Sequence, residues 1–444
     1  MLRSTREELR RLVLLAIPVV LAELGWMGMG VVDTLMVSRL GEEAVGAVGV
    51  GRSVFMGVGV FGIGLLLGLD TVISNAFGAG KRQLCGVALW HGFWIAIAIS
   101  IPLTLLIRLV GAQMQAWGVD AAVLPIIDAY IGPASWAALP IFLYATFRRY
   151  LQAVERVAPV LFALISANVV NVLVNWILVF GKFGAPALGV RGAAWATVIS
   201  SSYMAIVLAI AAVRHIRAQQ WEEPFPWALQ RRMMRRLLSL GVPAGFQLLL
   251  EVGVFALATM LAGRLIPAAL AAHQITLTVA SVTYMVPLGI SQATSVRVGH
   301  KRGAEDIVAA RYVGWMGIGF AAGFMALSAI FLITFAPTVL GWFNASEAVI
   351  AVAVPLFVAA GIFQVFDGLQ VAAIGALRGL GDTRSALIWN AIGYWGVTLP
   401  LGYYLCFHRG LGALGLWLGF CFGLAICGVA LVRRWHVRSQ ITSH

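Results

Sequence analysis

Charge is scarce in this chain. Asp, Glu, Lys and Arg make up 11% of its 444 residues, whereas a soluble domain carries about 25%. Hydrophobic residues make up 61%, and the mean hydropathy is +0.92. A water-soluble fold of this length cannot bury so much apolar surface. The shortage of charge therefore excludes an ordinary soluble protein and predicts an all-α protein that crosses a membrane many times.

Cysteine pairs and catalytic motifs are lacking as well. The four cysteines form no C-x-x-C pair and lie in or beside apolar runs, so we interpret them as small packing residues. The sequence contains no H-E-x-x-H motif, no G-x-S-x-G motif and no paired-aspartate protease pattern. His91, His273 and His300 are scattered along the chain. These absences argue against an intramembrane enzyme.

Twelve apolar runs are long enough to cross a bilayer, because a spanning helix needs about 20 residues. The first run follows several arginines, but no small-residue cleavage site comes after it, so we expect it to remain as the first helix. The predicted spans are 13–36, 45–69, 86–110, 124–147, 157–180, 189–213, 237–261, 270–296, 312–335, 349–372, 386–407 and 411–433.

The positive charges indicate how these spans are oriented. The net charge is +13, which a nucleic-acid-binding protein could also show. Here, however, Lys and Arg lie in short loops between apolar runs. With the N-terminus inside, the inner segments hold about four times as many of these residues as the outer loops. The pattern therefore predicts cytoplasmic termini and no nucleic-acid partner.

The two halves of the chain resemble each other. The longest polar stretch, 214–236, is predicted to be a cytoplasmic linker between an N-terminal lobe, 1–213, and a C-terminal lobe, 237–444. Pro18 matches Pro243 at the start of each half, and further short matches follow in the same order. Each half has an even number of spans, so both halves begin on the same side of the membrane. Transporters with such parallel repeats bind substrate near the middle of the bilayer.

We single out five of the acidic residues that lie in or at the ends of the predicted spans. A charge inside the bilayer is costly and marks a functional site by default. The five are Glu23, Asp33, Asp70, Glu251 and Asp367.

Glu251 and Asp367 are predicted to lie at similar depth. Glu251 is about 15 residues from Arg236, or roughly 22 Å from the cytoplasmic face, and Asp367 is about 11 residues before Arg378, or roughly 16 Å. No basic residue of the same half is predicted at that depth. We therefore expect a mobile positive species to neutralise them: a proton, a metal cation or a cationic solute. The alternative for each is a protonated side chain that hydrogen-bonds between helices.

The other three acids have stronger structural alternatives. Asp33 lies about six residues from Arg39, so an ion pair with that arginine or an interfacial position would also explain it. Glu23 lies in the middle of its helix, where packing and function are equally plausible readings. Asp70 lies near the cytoplasmic end of its span, which favours a structural hydrogen bond.

Helix five adds two amides on one face, because Asn171 and Asn175 are four residues apart. Amide oxygens bind hard cations such as Na⁺, and amides also hydrogen-bond between membrane helices.

Nearly the whole chain resembles the multidrug and toxic compound extrusion (MATE) transporters, and within them the NorM-type branch. The resemblance rests on six segments in this order: VVDTLMVSRLG, GLDTVISNAFGAGKR, NVLVNWILVFG, LGVRGAAWATVIS, GFQLLLEVGVF and QVFDGLQVAAIGALRGLGDT.

The resemblance implies a monomeric antiporter of the bacterial cytoplasmic (inner) membrane, built as two pseudo-symmetric lobes of six helices. Such proteins export organic cations and other drugs in exchange for Na⁺ or H⁺ and use no other cofactor. The family's functional positions correspond to Glu251, Asp367 and Tyr284 in the C-terminal lobe. In the N-terminal lobe they correspond to Asp33, Asn171, Asn175 and Thr197. Either group is a candidate Na⁺ site.

Two positions depart from parts of the family. Asn175 stands where another branch has an aspartate, which favours the NorM-type branch. Phe363 stands where some NorM-type members have a tyrosine, and phenylalanine keeps an aromatic face for a cation but loses the oxygen. A lipid-linked precursor flippase of the same superfamily is the alternative function. Such a protein would be expected to have more basic residues facing its cavity, whereas the buried charges identified here are acidic.

Overall fold

The computed structural model describes residues 2–116, 121–219 and 226–441, and these ranges are helical with no strand. The first eight helices are α1 (Leu2–Ser38), α2 (Glu42–Leu65), α3 (Gly68–Gly78), α4 (Arg82–Ala112), α5 (Leu124–Ala134), α6 (Ala138–Ala153), α7 (Ala158–Phe180) and α8 (Val190–Ala218). The next eight are α9 (Arg231–Ala262), α10 (Pro267–Gly303), α11 (Ile307–Thr334), α12 (Ala336–Trp342), α13 (Glu347–Gly379), α14 (Arg384–Asn390), α15 (Leu399–Tyr403) and α16 (Ala413–Ile441). The all-α polytopic fold is thus confirmed.

Eleven helical stretches among the described residues are long and apolar enough to cross a membrane. The predicted span 386–407 is different, because π-helical turns at Ala391–Thr398 and Tyr404–His408 alternate with α14 and α15. Proline cannot donate a backbone hydrogen bond, and Pro400 lies directly after the first of these π-helical segments. The eleventh predicted span is therefore a continuous helix in which α- and π-helical segments alternate.

Several helices extend past the predicted ends of their spans. Helix α9 begins at Arg231, six residues before the predicted start, and α10 ends at Gly303, seven residues after the predicted end. Charged residues end an apolar run without ending a helix. A capping residue marks the start of α11, where the Asp306 side chain accepts a hydrogen bond from the Ala309 N–H at 3.0 Å.

The contacts divide the chain into two compact units, Leu21–Gly245 and Met1–Val20 with Phe246–His444. The boundaries between these units lie within α1 and α9 and not at the polar linker. The first part of α1 packs with the C-terminal helices. Glu8 in that part pairs with Arg297 and with Lys301, whose Nζ lies 2.7 Å from its carboxylate. The division into 1–213, 214–236 and 237–444 remains a sequence-based prediction.

Helices approach each other closely where glycine faces a backbone. In the unit Leu21–Gly245, a Cβ added to Gly241 of α9 would lie 2.0 Å from the carbonyl oxygen of Leu65 in α2. In the other unit, a Cβ on Gly375 of α13 would lie 2.3 Å from the carbonyl oxygen of Ser291 in α10. Small residues permit this backbone approach, which supplies packing energy in a membrane.

Arg148 and Arg149 follow the predicted span 124–147, and the structure places both, buried, in the continuing helix α6. Arg148 forms an ion pair with Glu23, and Arg149 Nη1 lies 3.2 Å from Asp70 Oδ2. The acidic partners compensate the cost of burying the arginines, so α6 continues six residues past its predicted end. The same pairs give Glu23 and Asp70 a structural role.

A polar cluster closes the turn after α13. Asp382 accepts hydrogen bonds from the Ser385 N–H and hydroxyl at 3.1 and 2.8 Å, and from Nε of Arg434 and Arg438, each at 3.2 Å. Burial acts to raise the pKa of Asp382, but the hydrogen bonds from Ser385 and the two arginine charges outweigh it and hold the pKa below its usual value. The ionised carboxylate therefore stabilises this turn.

Candidate functional site

Asp33 is the centre of a polar site in the unit Leu21–Gly245. Its Oδ1 accepts hydrogen bonds from the side-chain amides of Asn171 and Asn175, at 3.0 and 2.7 Å. Its Oδ2 accepts a longer bond from the Thr197 hydroxyl, at 3.3 Å. Helices α1, α7 and α8 thus bring together the four residues that the family resemblance had grouped. Three neutral donors stabilise an ionised carboxylate here.

The two amides of α7 turn their nitrogens, not their oxygens, toward Asp33. Both asparagines are fully buried, and Oδ1 of Asn171 and of Asn175 has no hydrogen-bond partner among the described residues. A metal ion at Asp33 would require these amides to rotate, because it binds the oxygens and is repelled by the N–H groups. In the described state the donors therefore suit a carboxylate and not a metal ion.

A cavity of about 40 Å³ opens beside Asp33, with room for about one or two water molecules. Arg52 of α2 lines this cavity together with Asp33, Trp26 and Tyr130. The positive charge of Arg52 acts on Asp33 electrostatically. Sequence reasoning missed Arg52, although the signal was available: it is a lone arginine inside an apolar run, VGVGRSVFMGVG.

Glu251 lies in the other unit, on the half-buried face of α9. Its Oε2 accepts a hydrogen bond from Gln247 Nε2 at 2.8 Å, one turn earlier in the helix. Its Oε1 accepts one from the Tyr284 hydroxyl of α10 at 3.1 Å. Tyr284 therefore contacts the carboxylate, at a position that the family resemblance had indicated.

Asp367 of α13 is buried and interacts electrostatically with Glu251. Its side chain has no hydrogen-bond partner among the described residues. Within the same ranges, no lysine, arginine or histidine forms an ion pair with either carboxylate. Arg378 acts on Glu251 only through its longer-range charge. Half-buried Glu251 and buried Asp367 thus share a site without a bonded cation, and such a site favours the uptake of a positive species.

Polar side chains on the same face of α13 continue the site. Gln364 Oε1 accepts a hydrogen bond from the Ser328 hydroxyl at 2.8 Å, and its Nε2 donates to Thr283 Oγ1 at 2.7 Å. Gln370 Oε1 accepts a bond from the Tyr394 hydroxyl at 3.1 Å. Gln364 and Gln370 stand three residues before and after Asp367, so all three lie along one side of the helix.

Phe363 lies in an aromatic cluster one turn before Asp367. Its ring makes edge contacts with Phe255, Trp417 and Phe420 at centroid distances of 6.2, 5.6 and 5.9 Å. The side chain is almost fully buried. Its primary contacts are therefore aromatic, and it forms part of a wall next to the acidic pair.

Oxygen and aromatic groups dominate both sites. The described residues contain no group of three or more His, Cys, Asp or Glu side chains that could hold a metal ion. At Glu251 and Asp367 the arrangement suits transient binding of a proton or another small cation, next to aromatic rings that attract organic cations.

Comparisons with known proteins agree with this architecture. The MatE family model matches twice, at residues 18–177 and 243–404. The two matches begin at Pro18 and Pro243, the positions that the internal repeat aligns. Among solved structures, the eukaryotic MATE transporter AtDTX14 is similar with a TM-score of 0.86 and 22% identity, over 99% of this chain and 98% of that chain.

Curated relatives match over nearly their full length. A probable multidrug resistance protein NorM of Mesorhizobium japonicum is 35% identical over 98% of this chain and 95% of the relative. The multidrug resistance protein NorM of Aliivibrio fischeri is 31% identical over 97% of this chain and 94% of the relative. Both the repeated family match and these relatives lead to one conclusion: the chain belongs to the MatE family and is a multi-pass membrane protein.

Proposed function

We propose that this protein is a multidrug efflux antiporter that exports organic cations in exchange for an inward flow of H⁺ or Na⁺. The observation that carries the proposal is the acidic pair of half-buried Glu251 and buried Asp367, which has no bonded cation among the described residues. The names of the curated relatives, multidrug resistance proteins, support the substrate class.

The acidic pair couples the two flows by competition. An ion that enters from outside neutralises the pair, and a cationic drug requires the same carboxylates in their charged form. Alternating access then requires that the ion and the drug stabilise different conformations of the protein. Each ligand shifts the equilibrium between two conformations only by the difference between its affinities for them. Tyr284 keeps the Glu251 carboxylate oriented in the drug-accepting form.

The donors around Glu251 favour a proton as the coupling ion. Na⁺ needs several oxygen ligands, whereas Gln247 presents its N–H group to the carboxylate and Phe363 supplies no oxygen. A proton needs only one carboxylate. The aromatic cluster around Phe363, including Phe255 and Trp417, supplies faces that attract a cationic drug.

The remaining properties follow from family membership and charge distribution. From the family we infer a monomer in the bacterial cytoplasmic membrane. We infer that both termini lie in the cytoplasm, because Lys and Arg concentrate in the inner segments. The protein acts on small molecules by transport, without enzymatic chemistry.

Everted membrane vesicles test the proposal directly. Ethidium movement is followed while a pH gradient and a Na⁺ gradient are imposed separately, with vesicles from cells lacking the protein as the control. The proposal predicts gradient-driven ethidium extrusion, with the pH gradient as the more effective driver. Ethidium movement that is independent of both gradients would contradict antiport. Protein-dependent lipid movement without ethidium extrusion would support the flippase alternative.

A further inference from the structure

Arg52 lies deep in α2, facing the cavity beside Asp33. It is ten residues from the first residue of the helix, or roughly 15 Å along its axis. Its guanidinium group lies against Gly30 of α1, where an added Cβ would be 1.9 Å from Nη2 and 2.2 Å from Nη1. The guanidinium group thus occupies the space that a side chain at Gly30 would take. Gly30 and Asp33 are three residues apart, so both lie on the same face of α1.

Arg52 and Asp33 are the two charged side chains of the cavity, which has eleven lining residues. The other polar lining residues, Tyr130, Thr197 and Ser201, are neutral. No described side chain forms a hydrogen bond or an ion pair with the Arg52 guanidinium, so Asp33 is the opposite charge that faces it across the cavity. The net charge of the cavity is therefore zero without any mobile ion.

We propose that Arg52 is the resident counterion of Asp33, a tethered cation that takes the place of a mobile one. A further cation at Asp33 would leave an uncompensated positive charge in a membrane interior, which is strongly unfavourable. The site therefore admits a mobile cation only when Arg52 withdraws. The inference rests on the proposed antiport and refines it, because it assigns ion coupling to Glu251 and Asp367 rather than to the Asp33 site.

The hydrogen bonds around Asp33 agree with this assignment. Asn171, Asn175 and Thr197 all donate to the carboxylate, and the amide oxygens point elsewhere. That is the arrangement of a fixed anion beside a fixed cation. A metal site would present the oxygens of the same amides to the ion.

The first test removes the tethered charge and measures what replaces it. Purified wild type, Arg52→Gln and Arg52→Lys are compared for ²²Na⁺ binding and for the infrared band of a protonated carboxyl group. Arg39→Gln is the matched control, since Arg39 is an exposed arginine near the end of the same α1 helix that carries Asp33. We expect Arg52→Gln alone to gain a bound Na⁺ or a protonated carboxyl, and the gain to vanish when Asp33→Asn is added.

The second test is thermal stability, which remains informative if Arg52→Gln folds poorly. Asp33→Asn and Arg52→Gln should each lower Tm, and the double variant should recover part of the loss because it contains neither unpaired charge. The proposal is overturned if folded Arg52→Gln gains neither Na⁺ nor a protonated carboxyl, if Arg39→Gln shows the same gain, or if the double variant is no more stable than strict additivity predicts. None of these measurements uses transport, so failure of the antiport proposal would be seen separately in the vesicles.

Discussion

The ion pair between Glu23 and Arg148 provides a direct test of whether a buried acid in this fold is structural. Their side chains are 11% and 8% exposed. Replacing one partner of a buried pair leaves the other charge uncompensated and costs about 3–5 kcal/mol. We therefore expect Glu23→Gln to lower the free energy of unfolding by about that amount. Arg148 also has the ring of Tyr144 at 6.0 Å, which does not replace a carboxylate.

Helix α1 contains a matched control for this experiment. Glu7 and Arg11 form an ion pair on the same helix, but their side chains are 62% and 53% exposed. Exposed pairs four residues apart contribute only about 0.3–0.5 kcal/mol. Unfolding of the purified protein in mixed micelles, followed by tryptophan fluorescence, should therefore show a several-fold larger loss for Glu23→Gln than for Glu7→Gln. Combining Glu23→Gln with Arg148→Met should recover part of the loss.

Two results would refute this reasoning. The first is a Glu23→Gln variant that is no less stable than Glu7→Gln. The second is a Glu23→Gln variant of normal stability that has lost gradient-driven transport, which would make Glu23 a coupling residue and not a partner of Arg148.

Three further predictions follow from other parts of the structure. Asp382→Asn should lower the free energy of unfolding by roughly 1–3 kcal/mol at neutral pH. Because folding lowers the pKa of Asp382, its contribution to the free energy of unfolding is fully present above pH 3.8, the usual pKa of the side chain. The contribution is lost as the pH falls through the lower pKa of the folded state, and a pH series of denaturation curves would show this loss. Gly241→Ala should lower the free energy of unfolding by about 1–3 kcal/mol, because the added methyl group forces two helices apart. Gly46→Ala is the control, since a Cβ at Gly46 meets nothing within 4 Å and should not destabilise the protein. Equal effects of the two substitutions would contradict the packing argument. Tyr284→Phe should slow gradient-driven ethidium efflux at least about tenfold through loss of the bond to Glu251, since a hydrogen bond to a charged group contributes about 1.5–3 kcal/mol; an unchanged rate at equal protein level would exclude that role.

Hydropathy was sufficient to predict the helical membrane fold, because bilayer thickness fixes the length of an apolar run. It could not predict the π-helical segment Ala391–Thr398, since π-helical turns depend on local hydrogen bonding and leave the average hydropathy unchanged. It also placed the end of a span just before Arg148. Charge normally indicates a loop, and only the folded chain shows that Glu23 lies beside this arginine.

The candidate sites were predictable to a different extent. The four-residue spacing of Asn171 and Asn175 placed both amides on one face, but their alignment with Asp33 came from the family resemblance. Attention to acidic residues left out Arg52, a half-buried basic residue inside a predicted span, although both kinds of charge are equally unusual in a membrane. The contact between Arg52 and Gly30 depends on the packing of two helices, which a single sequence does not specify.

Ethidium extrusion by Glu251→Gln and Asp367→Asn is the most direct measurement of the central claim, that this acidic pair is the site visited by the coupling cation. Both variants would be assayed in everted vesicles beside wild type, with a pH gradient and a Na⁺ gradient imposed separately. Glu347→Gln is the matched control, because it removes an exposed acid from the same helix as Asp367. The account predicts that each acid variant loses gradient-driven extrusion while Glu347→Gln retains it. Gradient-driven extrusion at the wild-type rate by both acid variants, at equal protein level, would contradict it.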